Sequence, residues 1–176
     1  MDKAAVFIDG GYLANVLKQL FGEAKIDFGA LSNKLCAGVE RLRTYFYHCM
    51  PYQSSPPTKE ESERYAAADR FIYRLKKLPR FEVRLGKLSH HGTEFVQKRI
   101  DVLLSVDLVR MSWGRQIDRA ILITGDSDFV PAVQAAKDAG VLVQLYYAPG
   151  FVHDEPLQAC DDRFEITKEL IDSVKL

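Results

Sequence analysis

Short apolar runs alternate with longer amphipathic stretches along this 176-residue chain. The runs at 4–8 and 120–123 contain only apolar residues, which is typical of strands buried on both faces of a sheet. Three more strands are predicted where β-branched and aromatic residues are frequent, at 42–49, 81–85 and 141–147. Apolar residues at three- and four-residue spacing predict helices at 12–21, 27–39, 59–78, 98–113 and 130–140.

The alternation of strands and helices indicates an α/β fold with a doubly wound, mainly parallel sheet and helices on both of its faces. A chain of this length fits a single domain, 1–176, with a core at 4–147 and a helical tail at 155–176. The segment 98–113 is apolar almost all round, so we expect its helix to be buried. The segment 86–97 is expected to be irregular or a hairpin.

The composition is that of an ordinary soluble protein, with 47% hydrophobic and 27% charged residues. No apolar run approaches the roughly 20 residues of a membrane span, and the chain starts directly with a strand rather than a signal peptide. Three widely spaced cysteines, without a C-x-x-C pair, favour a reducing compartment over a disulfide framework or a zinc site. We therefore expect a cytoplasmic protein that does not bind membranes.

Charge is distributed unevenly along the chain, although the formal net charge is zero. Residues 64–119 contain 13 Lys and Arg against 6 Asp and Glu, whereas residues 120–176 contain 4 against 10. A basic middle beside an acidic end suits an anionic polymer that is led toward a carboxylate cluster. It suits ordinary solvated helix faces equally well.

Two of the predicted strands end in an aspartate-containing turn just before a helix. The strand at 4–8 is followed by D-G-G, which begins at Asp9, and the strand at 120–123 by T-G-D-S-D-F, which begins at Thr124. The carboxyl ends of parallel strands share one edge of the sheet, and ligands bind at that edge. The two turns together therefore predict a carboxylate cluster there.

The second turn also has a purely structural interpretation. In it, Gly125 permits the bend, Asp128 caps the helix and Asp126 is a solvated turn residue. Because Pro131 lacks an amide proton and is tolerated only in a first helical turn, the helix cap is predicted at Ser127 or Asp128. The matching turn after the first strand favours a site over this interpretation.

The predicted helix at 98–113 contains two aspartates, Asp101 and Asp107. A carboxylate in an apolar helix is costly unless it is paired, caps the helix or binds a metal. A separation of six residues places the two side chains on different faces, so they cannot share one ligand. Asp101, in the first turn, can reach the sheet edge, whereas the mid-helix position of Asp107 favours a structural hydrogen-bond acceptor over a functional one.

Three segments together resemble the NYN family of the PIN-like nucleases, in particular its LabA-like branch. They are F-I-D-G-G-Y-L around Asp9, K-R-I-D-V-L-L-S-V-D-L from Lys98, and T-G-D-S-D-F ending at Phe129. With the flanking elements, the resemblance spans roughly residues 4–147. It implies a metal-dependent ribonuclease in which Mg²⁺ or Mn²⁺ is held by Asp9, Asp101 and Asp126, with Asp128 as a further catalytic acid close by.

Six more residues are candidates for substrate contacts: Lys98, Asn15, Thr124, Ser127, Arg70 and Arg74. Many NYN members carry asparagine where this chain has Tyr12, and Asn15 lies one helical turn later. Lys98 precedes Asp101 by one turn and can pair with it or contact a phosphate. Arg70 and Arg74 belong to a basic row on the predicted helix at 59–78, which fits either a phosphate track or a solvated face.

The chemistry of the acidic positions agrees with the resemblance. Carboxylate oxygens are hard ligands that select Mg²⁺ or Mn²⁺, and such a cation can activate water and stabilise charge on phosphorus. No Ser-His-Asp or Cys-His arrangement offers a competing nucleophile. An aspartyl-phosphate phosphatase needs a second aspartate at Gly11, and a dinucleotide site needs a G-x-G-x-x-G motif that is absent.

Two functional hypotheses follow from the sequence. The first is a metal-dependent ribonuclease, endo- or exonucleolytic, that acts on single-stranded RNA. The alternative is an RNA-binding or regulatory module that keeps the fold with weak or no nuclease activity. The presence of all four acids favours the enzyme, whereas the lack of an appended RNA-binding domain keeps the alternative open. A homo-oligomer is compatible with either.

Overall fold

A computed structural model of the chain describes the backbone of residues 1–91 and 94–176 and the side chains of residues 1–87 and 99–176. The strands are β1 (Lys3–Asp9), β2 (Glu40–Cys49), β3 (Phe81–His91), β4 (Glu94–Lys98), β5 (Arg119–Ile123), β6 (Leu142–Tyr147) and β7 (Asp162–Glu165). The α-helices are α1 (Gly10–Leu20), α2 (Phe28–Leu35), α3 (Lys59–Lys76), α4 (Ile100–Trp113), α5 (Val130–Asp138), α6 (Asp154–Ala159) and α7 (Lys168–Asp172). None of these helices is long and apolar enough to cross a membrane.

The strands pair into one sheet in the order β4-β3-β2-β1-β5-β6-β7. Every neighbouring pair is parallel except β3 and β4, which form an antiparallel hairpin. The chain winds outward from β1 in one direction and then from β5 in the other. The predicted α/β fold with a doubly wound, mainly parallel sheet is therefore confirmed.

Two apolar cores cover the two faces of the sheet, because successive residues of a strand point to opposite sides. Val6 and Ile8 of β1 belong to the core beneath α1, α2 and α3, whereas Phe7 belongs to the core beneath α4 and α5. All three are completely buried. This arrangement explains why the central strands read as continuous apolar runs.

The prediction that the helix at 98–113 is buried holds for only one side of α4. Leu104 and Leu108 of α4 are fully buried, but Val102, Val106 and Trp113 are 63%, 56% and 61% exposed. A helix in an outer layer contacts the sheet on one side only, so its opposite side stays exposed whatever residues it carries.

Two further predictions concern the C-terminal tail and the segment 86–97. The tail at 155–176, predicted to be helical, contains β7 between α6 and α7, and β7 extends the sheet beside β6. The segment 86–97 is largely the β3–β4 hairpin, in agreement with one of the two predicted forms, and its residues 92 and 93 lie outside the described residues.

Asp107 is a buried hydrogen-bond acceptor that ties α4 to the sheet. Its carboxylate accepts bonds from the hydroxyl of Tyr47 at 2.9 Å, the Nε of Arg84 at 3.1 Å and the guanidinium of Arg110 at 3.2 Å. Its side chain is only 8% exposed. The structural interpretation of Asp107 therefore agrees with the structure: the charge is paired with two arginines rather than left for a ligand.

Asp107→Ala should lower the free energy of unfolding by about 2 kcal/mol, because it leaves a buried hydroxyl and two guanidinium groups without their common acceptor. Asp138→Ala is the matched control, since Asp138 is exposed on α5 and its carboxylate accepts a bond from Gln134. Urea unfolding of both variants and the wild type measures the difference. A loss no larger than the control's would show that Asp107 does not stabilise the α4 contact.

Candidate active site

The pairing of β1 with β5 brings the two acidic turns together. The strands are parallel neighbours, and Ile8 lies opposite Ile123. Asp9 and Thr124 follow these residues directly, so both turns leave the same edge of the sheet at the same level. The winding of the chain also reverses between these two strands, and such a reversal is where open α/β sheets form their ligand crevice.

The second acidic turn is organised by Asp126. Its carboxylate accepts a hydrogen bond from the amide of Asp128 at 3.0 Å and caps a short 3₁₀ turn, Ser127–Phe129. Phe129 is 1% exposed and anchors the turn in the core. The predicted helix cap at Ser127 or Asp128 is therefore wrong. The 3₁₀ turn intervenes, and α5 starts only at Val130 without a side-chain cap.

The first acidic turn has a similar construction. The carboxylate of Asp9 accepts a hydrogen bond from the amide of Tyr12 at 3.1 Å and caps α1. The next residue must be a glycine, since a Cβ on Gly10 would lie 2.6 Å from the carbonyl oxygen of Tyr47 and from the ring of Phe46. The close approach of α1 to β2 thus leaves room only for glycine directly after Asp9.

Three carboxylates meet at this edge. One oxygen from each of Asp101, Asp126 and Asp128 lies within 4.8 Å of the other two. Asp101 arrives from the first turn of α4, and the 3₁₀ turn brings Asp128 back beside it. The sequence predicted Asp9, Asp101 and Asp126 as metal ligands, whereas the group that the structure brings closest contains Asp128 in place of Asp9.

Asp9 remains electrostatically coupled to this group. Burial, and then the charges of Asp101 and Asp126, raise the pKa of Asp9, while the amide of Tyr12 acts in the opposite direction. Burial also raises the pKa of Asp101, and the charges of Asp126 and Asp128 raise it further. The four acids therefore repel one another in the absence of a cation.

The donor set fits a hard divalent cation. Three carboxylate oxygens at this spacing can converge on one ion, and Mg²⁺ or Mn²⁺ prefers a few carboxylates together with water and phosphate. The nearby thiol of Cys49 does not change this choice. Burial, and then the charges of Asp9 and Asp101, raise its pKa, which keeps the sulfur protonated.

The other candidate residues of the acidic edge have different positions. Asn15 is exposed on α1 and lines a cleft beside Asp9 and Asp126. Thr124 is 1% exposed, and its hydroxyl accepts a bond from the amide of Asp126 at 3.4 Å, so it shapes the turn. Ser127 is half-buried within the 3₁₀ turn. A substrate contact by Ser127 stays a prediction.

The basic candidates are not brought to the cluster by the described contacts. Arg70 and Arg74 are exposed on the second half of α3. Arg74 borders a separate apolar groove with Leu17 and Leu75. The side chain of Lys98 lies outside the described residues. A role for any of the three in binding substrate stays a prediction.

The loop at 148–153 completes the cleft, and the sequence analysis missed it. Phe151, Val152 and His153 line the same cleft as Asp9 and Asp126. These residues belong to no motif, and only their position shortly after a strand of the same sheet, β6, points to this edge. Their contribution depends on how the loop folds back, which apolar periodicity does not report.

Comparison with known proteins matches residues 3–168 to the NYN domain. The uncharacterized protein y4oD of Sinorhizobium fredii is 36% identical over 64 residues, a segment that covers 36% of this chain and 28% of that protein. The match thus spans less than a third of that relative's length. A protein of unknown function from Vibrio parahaemolyticus, solved by crystallography, superposes with a TM-score of 0.72 over 99% of this chain and 96% of that one. At 18% identity, this likeness shows the fold.

Asp101→Asn should leave the metal-free protein as stable as the wild type or more stable at pH 7. The raised pKa of Asp101 means that the folded state holds its proton more tightly than the unfolded state. Wild-type stability is therefore lost as the pH rises above the usual aspartate range of about 4, and the substitution removes that loss.

Thermal melts in chelator at pH 4 and pH 7 measure this effect, with Asp138→Asn as the control for removing an exposed charge. The advantage of Asp101→Asn over the wild type should shrink at pH 4. A variant that is less stable than the wild type at pH 7 would contradict mutual repulsion in the cluster.

Proposed function

This chain belongs to the NYN domain family, and on that premise we propose that it is a metal-dependent ribonuclease that hydrolyses RNA phosphodiester bonds. The observation that carries the proposal is the convergence of Asp101, Asp126 and Asp128 within 4.8 Å at the switch point of the sheet. The family supports the class of reaction, and the group of three carboxylates supports the location of the active site.

The acids have distinct roles in this proposal. Asp101, Asp126 and Asp128 would hold Mg²⁺ or Mn²⁺, and Asp9 adds negative charge beside Asp101 and Asp126. A cation held there would supply Lewis-acid chemistry, namely activation of a water molecule and compensation of the charge that develops on phosphorus. The protein holds the acids rigidly, because Asp9 and Asp126 are each fixed by a backbone amide.

Single-stranded RNA is the substrate that we propose, and the cytoplasm is the proposed location. The family favours RNA, and the basic segment at 64–119 gives a positive charge that can draw a polyanion toward an otherwise acidic edge. We also propose membership of the LabA-like branch, on the resemblance of the three motif segments. Homo-oligomerisation is compatible with this function but is not required by it.

The second candidate is an RNA-binding or regulatory module of the same fold. This candidate is supported by the structural role of Asp9 and Asp126, since each caps a helical turn. Such acids can be kept for folding after catalysis is lost. Asp101 and Asp128 distinguish the two candidates, because neither is used as a helix cap.

Purified wild-type protein should cleave single-stranded RNA in millimolar Mn²⁺ or Mg²⁺, and it should not do so in chelator. Asp101→Asn should reduce the rate by about a hundredfold or more, because it weakens the site that stabilises transition-state charge. Asp138→Asn, prepared identically, controls for contaminating nuclease. Equal rates for the two variants would refute the proposed reaction.

Metal binding can be measured without activity. At a hundred times its dissociation constant, a divalent cation should stabilise the wild type by about 2.7 kcal/mol and Asp101→Asn far less. Thermal melts over a Mn²⁺ series give this value. A stabilised wild type without RNA cleavage would support the regulatory module, whereas equal responses of the two proteins would remove Asp101 from the metal site.

A further inference from the structure

The cleft beside the acidic group is large enough for a small organic molecule. Its volume is about 570 Å³, within the roughly 300–1,000 Å³ of ligand sites in proteins. Asp9 and Asp126 form one side, and Tyr12, Asn15, Phe151 and His153 line the rest. Asp126 belongs both to this cleft and to the group of three carboxylates, so the two sites are contiguous.

The far wall of the cleft is fastened to both acidic turns. The amide of Ala148 donates to the hydroxyl of Tyr12 at 3.0 Å, and the amide of His153 donates to the carbonyl of Gly125 at 3.0 Å. A Cβ on Gly125 would lie 2.2 Å from the carbonyl oxygen of Phe151, so the loop and the turn are in direct backbone contact. The cleft is therefore preformed, which lowers the entropic cost of binding.

The lining combines two kinds of surface. Tyr12 and Phe151 are half-buried, with the apolar core behind them, so they offer flat apolar surface to the cleft. Asn15 and His153 are exposed and offer hydrogen-bonding groups. The carboxylates of Asp9 and Asp126 disfavour an anionic group within the cleft itself. A ligand that suits this lining has a flat aromatic part, hydroxyl groups and no negative charge.

We propose that this cleft binds one nucleoside unit of the substrate, with the base against Tyr12 and Phe151, the ribose near Asn15 and His153, and the phosphate directed toward the three carboxylates. The proposal rests on the ribonuclease function, because that function places a phosphate at the contiguous acidic group. A nucleoside has the required aromatic, hydroxyl-bearing and uncharged character. Its phosphate needs the cation that the acidic group would hold.

Binding of small probes tests the cleft directly. In Mn²⁺, uridine 5′-monophosphate should bind at least about tenfold more tightly than ribose 5-phosphate, which lacks the base. Uridine alone, in chelator, should still shift the NMR signals of Asn15 and His153. Equal affinities for the two phosphates, together with no shift by uridine, would overturn the proposal.

Three variants locate the contacts. Asn15→Ala and His153→Ala alter exposed side chains, and Phe151→Leu keeps apolar bulk while removing the aromatic face. Each should weaken the binding of uridine 5′-monophosphate by about three- to tenfold without changing the affinity for Mn²⁺.

The controls for these variants are Gln19→Ala on the exposed part of α1, Gln158→Ala on α6 and Phe164→Leu on β7. None of the controls should change the binding of uridine 5′-monophosphate. Wild-type affinity in all three cleft variants would overturn the assignment.

The two proposals fail in different ways. If Mn²⁺ does not bind but uridine still shifts the cleft signals, the metal-dependent nuclease is refuted and the nucleoside site is supported. If Mn²⁺ binds and RNA is cleaved while the cleft variants behave as the wild type does, the nuclease is supported and the nucleoside site is refuted. If neither probe binds, both proposals are refuted.

Discussion

The parallel pairing of β1 with β5 is the constraint on which the candidate site depends. Because Ile8 lies opposite Ile123, the residues that follow must leave the sheet at one edge and at one level. Each exit then turns at once into a helical segment whose first amides are bound by an aspartate, Asp9 in one case and Asp126 in the other. The backbone thus sets the separation of these acids, and side-chain flexibility contributes little to it.

Because the acids are held in place, their carboxylates repel one another. Burial and neighbouring carboxylates raise the pKa of Asp9, while its backbone hydrogen bonds from Tyr12 and Gly11 favour the charged form. The structure therefore holds negative charges together that would separate if they were free to move. A divalent cation gains affinity under these conditions, since it relieves a repulsion that folding has already imposed. The capping bonds that stabilise the fold also keep the acids in position for a cation.

The sequence predicted the elements correctly where a local pattern is compatible with only one kind of structure. Apolar runs that end in D-G-G and T-G-D mark strand exits, so the sheet and the carboxylate edge were predictable. The resemblance placed Asp128 only close to the other acids, because the 3₁₀ turn that brings it beside Asp101 leaves no periodic signal in the sequence. The exposed side of α4 was missed because an apolar side chain can be buried, but the sequence does not show whether another layer of the protein packs against that side of the helix. The polar four-residue strand β7 was missed because its place at the sheet margin demands little apolar character.

Tyr12 illustrates how a departure from a family pattern can be compensated by contacts distant in sequence. The resemblance leads one to expect asparagine there, a residue too short to reach the neighbouring loop. The tyrosine ring instead packs so closely that a Cβ on Gly125 would lie 2.6 Å from it, and its hydroxyl accepts a bond from the amide of Ala148. One side chain thus links the Asp9 turn, the Asp126 turn and the loop after β6. Tyr12 therefore fixes the position of the loop at 148–153 relative to both acidic turns, which a side chain as short as asparagine could not do.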